Sequence, residues 1–217
     1  MMPILYGHLF SSYTWKALIP LHANGTPYEF REVGPDHPEH AAFVERAHPT
    51  GKFPVLVDGG TTVIEATAIV EHLAQHHPGR APLIPADPAA AVTTRMLDRV
   101  FDNYLMGGVQ QVVYAYLADS ANPDPGAVRQ GGETLRRAYA WLEGWLARNA
   151  LPKHVSLVTC AAAPSLFYAD WVERIPADCP RLLELRRELL ALPPVARCVE
   201  DARPFRDLFP LGAPDRD

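Results

Sequence analysis

The sequence predicts a small α/β unit of order βαβαββα followed by an all-α bundle. Three observations carry the prediction. Short apolar runs alternate with helical patterns as far as His77; a proline-rich stretch then breaks the pattern; beyond it apolar residues recur only at helical spacing. Residues 1–78 are accordingly expected to form a first domain, 79–88 a linker and 89–217 a second, all-helical domain.

Pro3 to Tyr6 reads as a buried strand, Ser12 to Ala23 as a helix, Tyr28 to Val33 as a strand and Glu39 to Arg46 as a short helix. Val55 to Val57 and Thr62 to Ile64 flank Asp58-Gly59-Gly60, where glycine supplies the positive φ of a tight hairpin turn. A helix from Glu65 to about His77 closes the unit. A hairpin is antiparallel and a crossover parallel, so the sheet is expected to be mixed. From Pro78 to Pro88 the prolines preclude regular structure. Helices are then expected over Ala90 to Leu117, Ala127 to Ala147, Leu157 to Val172, Arg181 to Leu190 and Val195 to Ala202. Asn122 to Gly126 separates the first two, and Pro193-Pro194 opens the last with a φ already suited to a helix.

The chain has 217 residues, 48% hydrophobic and 21% charged, which supports a sizeable core and excludes a largely disordered polypeptide. A net charge of -5, without a Lys/Arg cluster, argues against nucleic acid or anionic lipid as a partner. No run approaches the roughly 18 apolar residues of a membrane span, and Met1 to Phe10 lacks a basic leader pattern, so a cytoplasmic protein is expected. Cys160, Cys179 and Cys198 are too few and too scattered for a disulfide framework or zinc site, and are expected to be buried thiols.

Three places can carry chemistry. Phe10-Ser11-Ser12-Tyr13-Thr14 joins the first strand to the first helix, where helix N–H groups and the positive end of the dipole favour an anion. A serine there either caps the helix or serves a bound ligand. Lys52-Phe53-Pro54-Val55 places a proline at a strand start. A cis bond would turn the Phe53 backbone outward to pair with an extended peptide, whereas a trans bond would make it an ordinary edge. Glu65-Ala66-Thr67 opens the helix after the hairpin. Its free N–H groups suit a carboxylate and Glu65 suits an amine, although an acidic first turn also complements the dipole unaided. Together they outline a cleft for a small zwitterionic peptide.

Leu5-Tyr6-Gly7, Ser11 to Lys16, Gly51 to Leu56, Val63 to Ile69, Ser156 to Pro164 and Pro194 to Arg197 together resemble the cytosolic glutathione transferases that use a catalytic serine, with the zeta-like and related bacterial groups nearest. The resemblance covers nearly the whole chain. It implies a thioredoxin-like first domain that binds glutathione and a helical domain that holds a small apolar electrophile. It implies further that the protein is a homodimeric detoxification enzyme with glutathione as substrate or cofactor and no metal. Ser11 then corresponds to the serine that stabilises the glutathione thiolate and Pro54 to the cis-proline. Phe53 corresponds to the residue whose backbone pairs with the cysteinyl part, and Lys52 to a side chain near the glycyl end. Glu65 and Ala66 stand where the family has an acid or glutamine followed by serine. Ala66 departs from that pattern, and Thr67 is expected to supply the missing hydroxyl. Thr159 also departs, standing where an acid usually completes the capping box begun by Ser156, so a less well fixed helix start is expected.

Tyr6 and Tyr13 are rival thiolate partners, with Tyr6 the better explained as core because Ile4 and Leu5 precede it in a buried strand. The Ser11 to Thr14 turn has no cysteine, which disfavours glutaredoxin-like disulfide exchange. A pocket for the second substrate is expected between the domains, with Tyr104, Met106, Gln110, Tyr114 and Phe205 as candidates. His72 and His76 lie four apart on one helix, but no third metal ligand is evident beside them.

Overall fold

The computed structural model describes residues 2–217; Met1, included in the expected first domain, lies outside the described residues. The first unit runs β1 (Ile4–Gly7), α1 (Ser12–Asn24), β2 (Glu29–Glu32), α2 (Pro38–Ala47), β3 (Val55–Asp58), β4 (Thr61–Ile64) and α3 (Ala66–His76). The strands form one mixed sheet in the order β2-β1-β3-β4. β1 is parallel to β2, with Leu5 opposite Phe30, and antiparallel to β3, with Leu5 opposite Leu56. At the β3–β4 turn Gly59 and Gly60 have φ of 57° and 88°, the positive pair that a two-residue hairpin requires.

The helical part comprises α4 (Pro88–Val100), a π-helical segment (Phe101–Met106), α5 (Gly107–Ala118), α6 (Pro125–Leu146), α7 (Leu157–Val172), α8 (Pro180–Leu190) and α9 (Pro193–Ala202), ending in a 3-10 helix over Arg203–Leu208. The uninterrupted helix expected from Ala90 to Leu117 is thus corrected, since a π-helical segment divides it. At the first residue of that segment the Phe101 carbonyl accepts from Ser165 Oγ of α7 at 3.3 Å. Apolar spacing reads through such an insertion, which is why the sequence pattern did not mark it.

α7 is buried from Leu157 to Trp171 and forms the axis of the bundle. One core runs from Leu5, Trp15 and Ile69 of the first unit through Phe101, Leu105 and Phe167 of the second. A smaller core of Tyr6, Val44 and Val55 lies under α2, where Tyr6 stacks on Phe43 at 4.3 Å and accepts from Arg31 at 2.5 Å. The three cysteines are free and buried, and burial pushes each thiol up from its ordinary range. Among the described residues no helix is long and apolar enough to cross a membrane.

Thr159 also requires a correction. The Ser156 N–H donates to Thr159 Oγ1 at 3.1 Å, so the helix start does have its reciprocal acceptor. A hydroxyl carries two lone pairs and can take the acceptor role usually filled by a longer acid.

α5 and α6 cross with glycine against glycine. A Cβ on Gly131 would stand 2.6 Å from Val112 Cγ2 and 2.8 Å from the Gly108 carbonyl oxygen, and one on Gly108 would stand 3.2 Å from the Gly131 carbonyl oxygen. Gly131→Ala should therefore push the helices apart, with a loss of about 1–3 kcal/mol measurable by urea denaturation. Unchanged stability would mean that the crossing is looser than these distances require.

Candidate functional site

The Ser11 loop is fixed before it meets a ligand. Trp15 Nε1 donates to the Leu9 carbonyl at 2.6 Å, and Tyr168 Oη, from α7, donates to the Phe10 carbonyl at 2.8 Å. Behind the loop, Phe205 packs edge-on against His8 at 4.7 Å. Ser11 is the N-cap of α1, its Oγ accepting from Thr14 N at 3.3 Å. That bond uses a lone pair and leaves the hydroxyl proton to donate, so capping and ligand binding, alternatives in the sequence, are compatible in the structure.

Ser11 opens onto a cleft of about 620 Å³ between the two units. Its polar end is formed by Ser11, Ser12, His48, Lys52, Phe53, Pro54, Glu65 and Ala66. The Phe53-Pro54 bond is cis, and the pairing of β3 with β1 and β4 begins only at Val55, so Phe53 stands outside the ladder. Glu65 is the N-cap of α3 at φ 68°, a left-handed value rare outside glycine, and its side chain makes no capping bond. The first N–H groups of α3 are thereby left to a ligand. His48, which sequence reasoning missed, is 7% exposed; its Nδ1 accepts from Thr50 N at 3.1 Å and its Nε2 lies 3.4 Å from Glu65 Oε1. A lone histidine beside a proline gives no local signal of such a role.

The other end is largely apolar, with Met106 from the π-helical segment, Val109, Gln110, Val113 and Tyr114 from α5, Tyr13 from α1, and Phe209 after the last helix, while Arg99, Asp102 and Asn103 also line the cleft. Of the five residues expected here, Met106, Gln110 and Tyr114 line the cleft. Tyr104 and Phe205 do not: Tyr104 is 55% exposed on the outer side of the π-helical segment, and Phe205 is taken up by His8. Burial, with Asp102 nearby, pushes the Tyr13 phenol far above its ordinary range, so it faces the cleft as a neutral hydroxyl.

Thr67 needs a correction too. It does not line the cleft. Its Oγ1 accepts from Lys16 Nζ at 2.8 Å and donates to Asp98 Oδ2 at 3.0 Å, so the hydroxyl expected to compensate for Ala66 is already engaged. Lys16, 1% exposed on α1, also meets Asp98 Oδ1 at 2.5 Å and Asp102 Oδ2 at 2.6 Å, and the half-exposed Arg99 contacts both carboxylates. Two cations and two anions make the cluster electrically neutral. Burial lifts the Asp102 carboxyl above its ordinary range, against the pull of Lys16.

Residues 5–81 match the family model of the glutathione S-transferase N-terminal domain. The chain is 32% identical over 95 residues to a probable maleylacetoacetate isomerase of Caenorhabditis elegans, covering 44% of each protein. It is also 32% identical over 144 residues to FtsZ-localized protein A of Caulobacter vibrioides, covering 59% of this chain and 61% of that protein. The matched regions span less than two thirds of either relative. A maleylacetoacetate isomerase structure from Anaeromyxobacter dehalogenans, with glutathione bound in its active site, superposes with a TM-score of 0.72 at 22% identity, over 91% of this chain and 94% of that one.

The ion cluster makes a stability prediction. Lys16→Met leaves Asp98 and Asp102 without their buried cation, and should cost about 3–5 kcal/mol in urea denaturation. A loss below about 1 kcal/mol would show that Arg99 alone suffices to compensate the two carboxylates.

Proposed function

We propose that the chain, whose residues 5–81 match the glutathione S-transferase N-terminal domain and whose fold is shared with a glutathione-bound isomerase, is a member of the glutathione transferase superfamily and a cytoplasmic glutathione-dependent enzyme. The observation that carries the proposal is the convergence of the N-termini of α1 and α3 on one end of a cleft whose other end is apolar. Glutathione lies with its cysteinyl part along the Phe53 backbone, its γ-glutamyl group at Glu65 and the Ala66 N–H, and its glycyl end near Lys52. Residues 79–88 then divide the glutathione-binding domain from the one that holds the apolar electrophile.

Ser11 is the residue that activates the thiol. A free thiol with a pKa of about 8.5 is only a few per cent ionised at neutral pH, and lowering it by about two units takes roughly 2.7 kcal/mol. One hydrogen bond to the thiolate supplies about 1.5–3 kcal/mol, and the α1 dipole adds about 0.3–1. No base is needed. The Ala66 departure removes about 0.5–1.5 kcal/mol of glutathione binding, and Thr67 does not restore it.

The relatives named as maleylacetoacetate isomerases favour isomerisation, in which the thiolate adds to a conjugated double bond, the adduct rotates, and elimination returns glutathione unchanged. Conjugation, reductive dehalogenation and peroxide reduction each consume it, so isomer formation without loss of glutathione identifies the isomerase. A second reading, a non-catalytic glutathione-binding or structural relative acting through protein contacts, is favoured by Ala66 and by the likeness to FtsZ-localized protein A.

Calorimetric titration with reduced glutathione, repeated on Ser11→Ala, separates these readings. The mutant should keep binding while losing the ultraviolet thiolate signal and roughly 10- to 100-fold of turnover. Equal activity in the mutant would dismiss Ser11, and no binding by the native chain would leave the structural reading. The same proposal includes a homodimer. Val92 and Met96, four apart on α4 and 66% and 41% exposed, offer apolar surface for it. Sedimentation at micromolar concentration should give a dimer mass, and a monomer would refute it.

A further inference from the structure

A second cluster of chemically competent side chains is formed where the β3–β4 hairpin meets the end of α3. Asp58 closes β3, His72 lies in the last turns of α3 and His77 is the C-cap residue of that helix. His72 Nε2 is 2.9 Å from Asp58 Oδ2 and His77 Nε2 is 2.7 Å from the same oxygen. The three ligand atoms lie within 4.8 Å of one another. His76, which the sequence pairs with His72, is not among them: it packs against the His72 ring at 4.3 Å and limits its rotation. The third ligand missing from the helix comes from the neighbouring strand, and the second histidine comes from one residue further along.

We propose that Asp58, His72 and His77 form a binding site for a zinc-type divalent transition-metal cation. Two imidazole nitrogens and one carboxylate oxygen are the ligand set that borderline cations of this class prefer. Metal–ligand bonds of about 2.0–2.2 Å in a tetrahedral arrangement separate ligand atoms by roughly 3.3 Å. The present N–O separations therefore need to open by only about half an ångström. Each neutral imidazole ligates through Nε2 by moving its proton to Nδ1, so no ligand is lost on binding. The side chains are 13%, 24% and 12% exposed for His72, His77 and Asp58, which leaves an entry path and room for water as the fourth ligand. Such a cation would join the hairpin to the far end of the helix whose first turn carries Glu65 and Ala66.

The test uses the full chain, treated with chelator and freed of it, in buffer without glutathione because that thiol itself binds zinc. Titration with Zn2+ by calorimetry should show one cation per chain, and Co2+ should give the visible absorption of a low-symmetry N/O site. Asp58→Asn and His77→Ala should each weaken binding by at least about tenfold. Far-ultraviolet circular dichroism and a cooperative urea transition establish that the variants remain folded. The exposed His37, Glu39 and His40 form the other grouping of this kind among the described residues, so His37→Ala with His40→Ala serves as the control and should leave affinity unchanged. Binding that is absent in the native chain, unchanged in both Asp58→Asn and His77→Ala, or abolished by the control pair would overturn the site. It would leave Asp58 as a hydrogen-bond acceptor that fastens the hairpin to the helix.

Discussion

The arrangement of the cleft depends on one buried ammonium group. Lys16 lies on α1, its partner Thr67 on α3, and its carboxylates at Asp98 on α4 and at Asp102 in the π-helical segment. A charge so far from water requires close partners, because its desolvation is repaid only by good geometry on every side. The helix that presents Ser11, the helix that presents Ala66 and the wall that carries Met106 therefore meet at Lys16 Nζ, with Arg99 bridging Thr67, Asp98 and Asp102 beside it. Apolar contact joins the two units over a larger area, but it is non-directional and tolerates sliding. The ion cluster has a direction, and it fixes how the polar end of the cleft faces the apolar end.

Much of this architecture was legible in the chain. Alternating apolar runs and Asp58-Gly59-Gly60 gave the mixed sheet, and helical spacing gave Leu157 to Val172 with the bounds observed. What stayed hidden was non-local. Nothing near Thr67 signals that Lys16, fifty-one positions earlier, will engage its hydroxyl. Tyr104 and Phe205 had the right residue type and neighbourhood, but a π-helical segment turned one outward and His8 took up the other. Ligand sets shared between a strand and a helix end, such as Asp58 with His72 and His77, are likewise invisible to spacing along one helix.

Ser11 shows why local alternatives need not exclude each other. A hydroxyl that closes the first turn of α1 is thereby aimed, because the bond from Thr14 N restricts its rotamer while leaving its proton free. Leu9 and Phe10, whose carbonyls are bonded by Trp15 and Tyr168, keep the loop from adjusting around it. The helical unit thus contributes to the Ser11 end of the cleft through Tyr168 as well as to the opposite end.

The π-helical segment at Phe101–Met106 is, in geometric terms, an α-helix carrying one extra residue. Each α-helical residue turns the chain by about 100°, so that single insertion sets the rotational phase of α5 relative to α4. Val109 and Val113 face the cleft, and Gly108 faces Gly131, only in that phase. The shape of the apolar wall is therefore encoded by residue count as much as by residue identity. Loss or gain of one residue in this turn would rotate the whole α5 face of the cleft by about 100°, whereas a substitution along it alters one position.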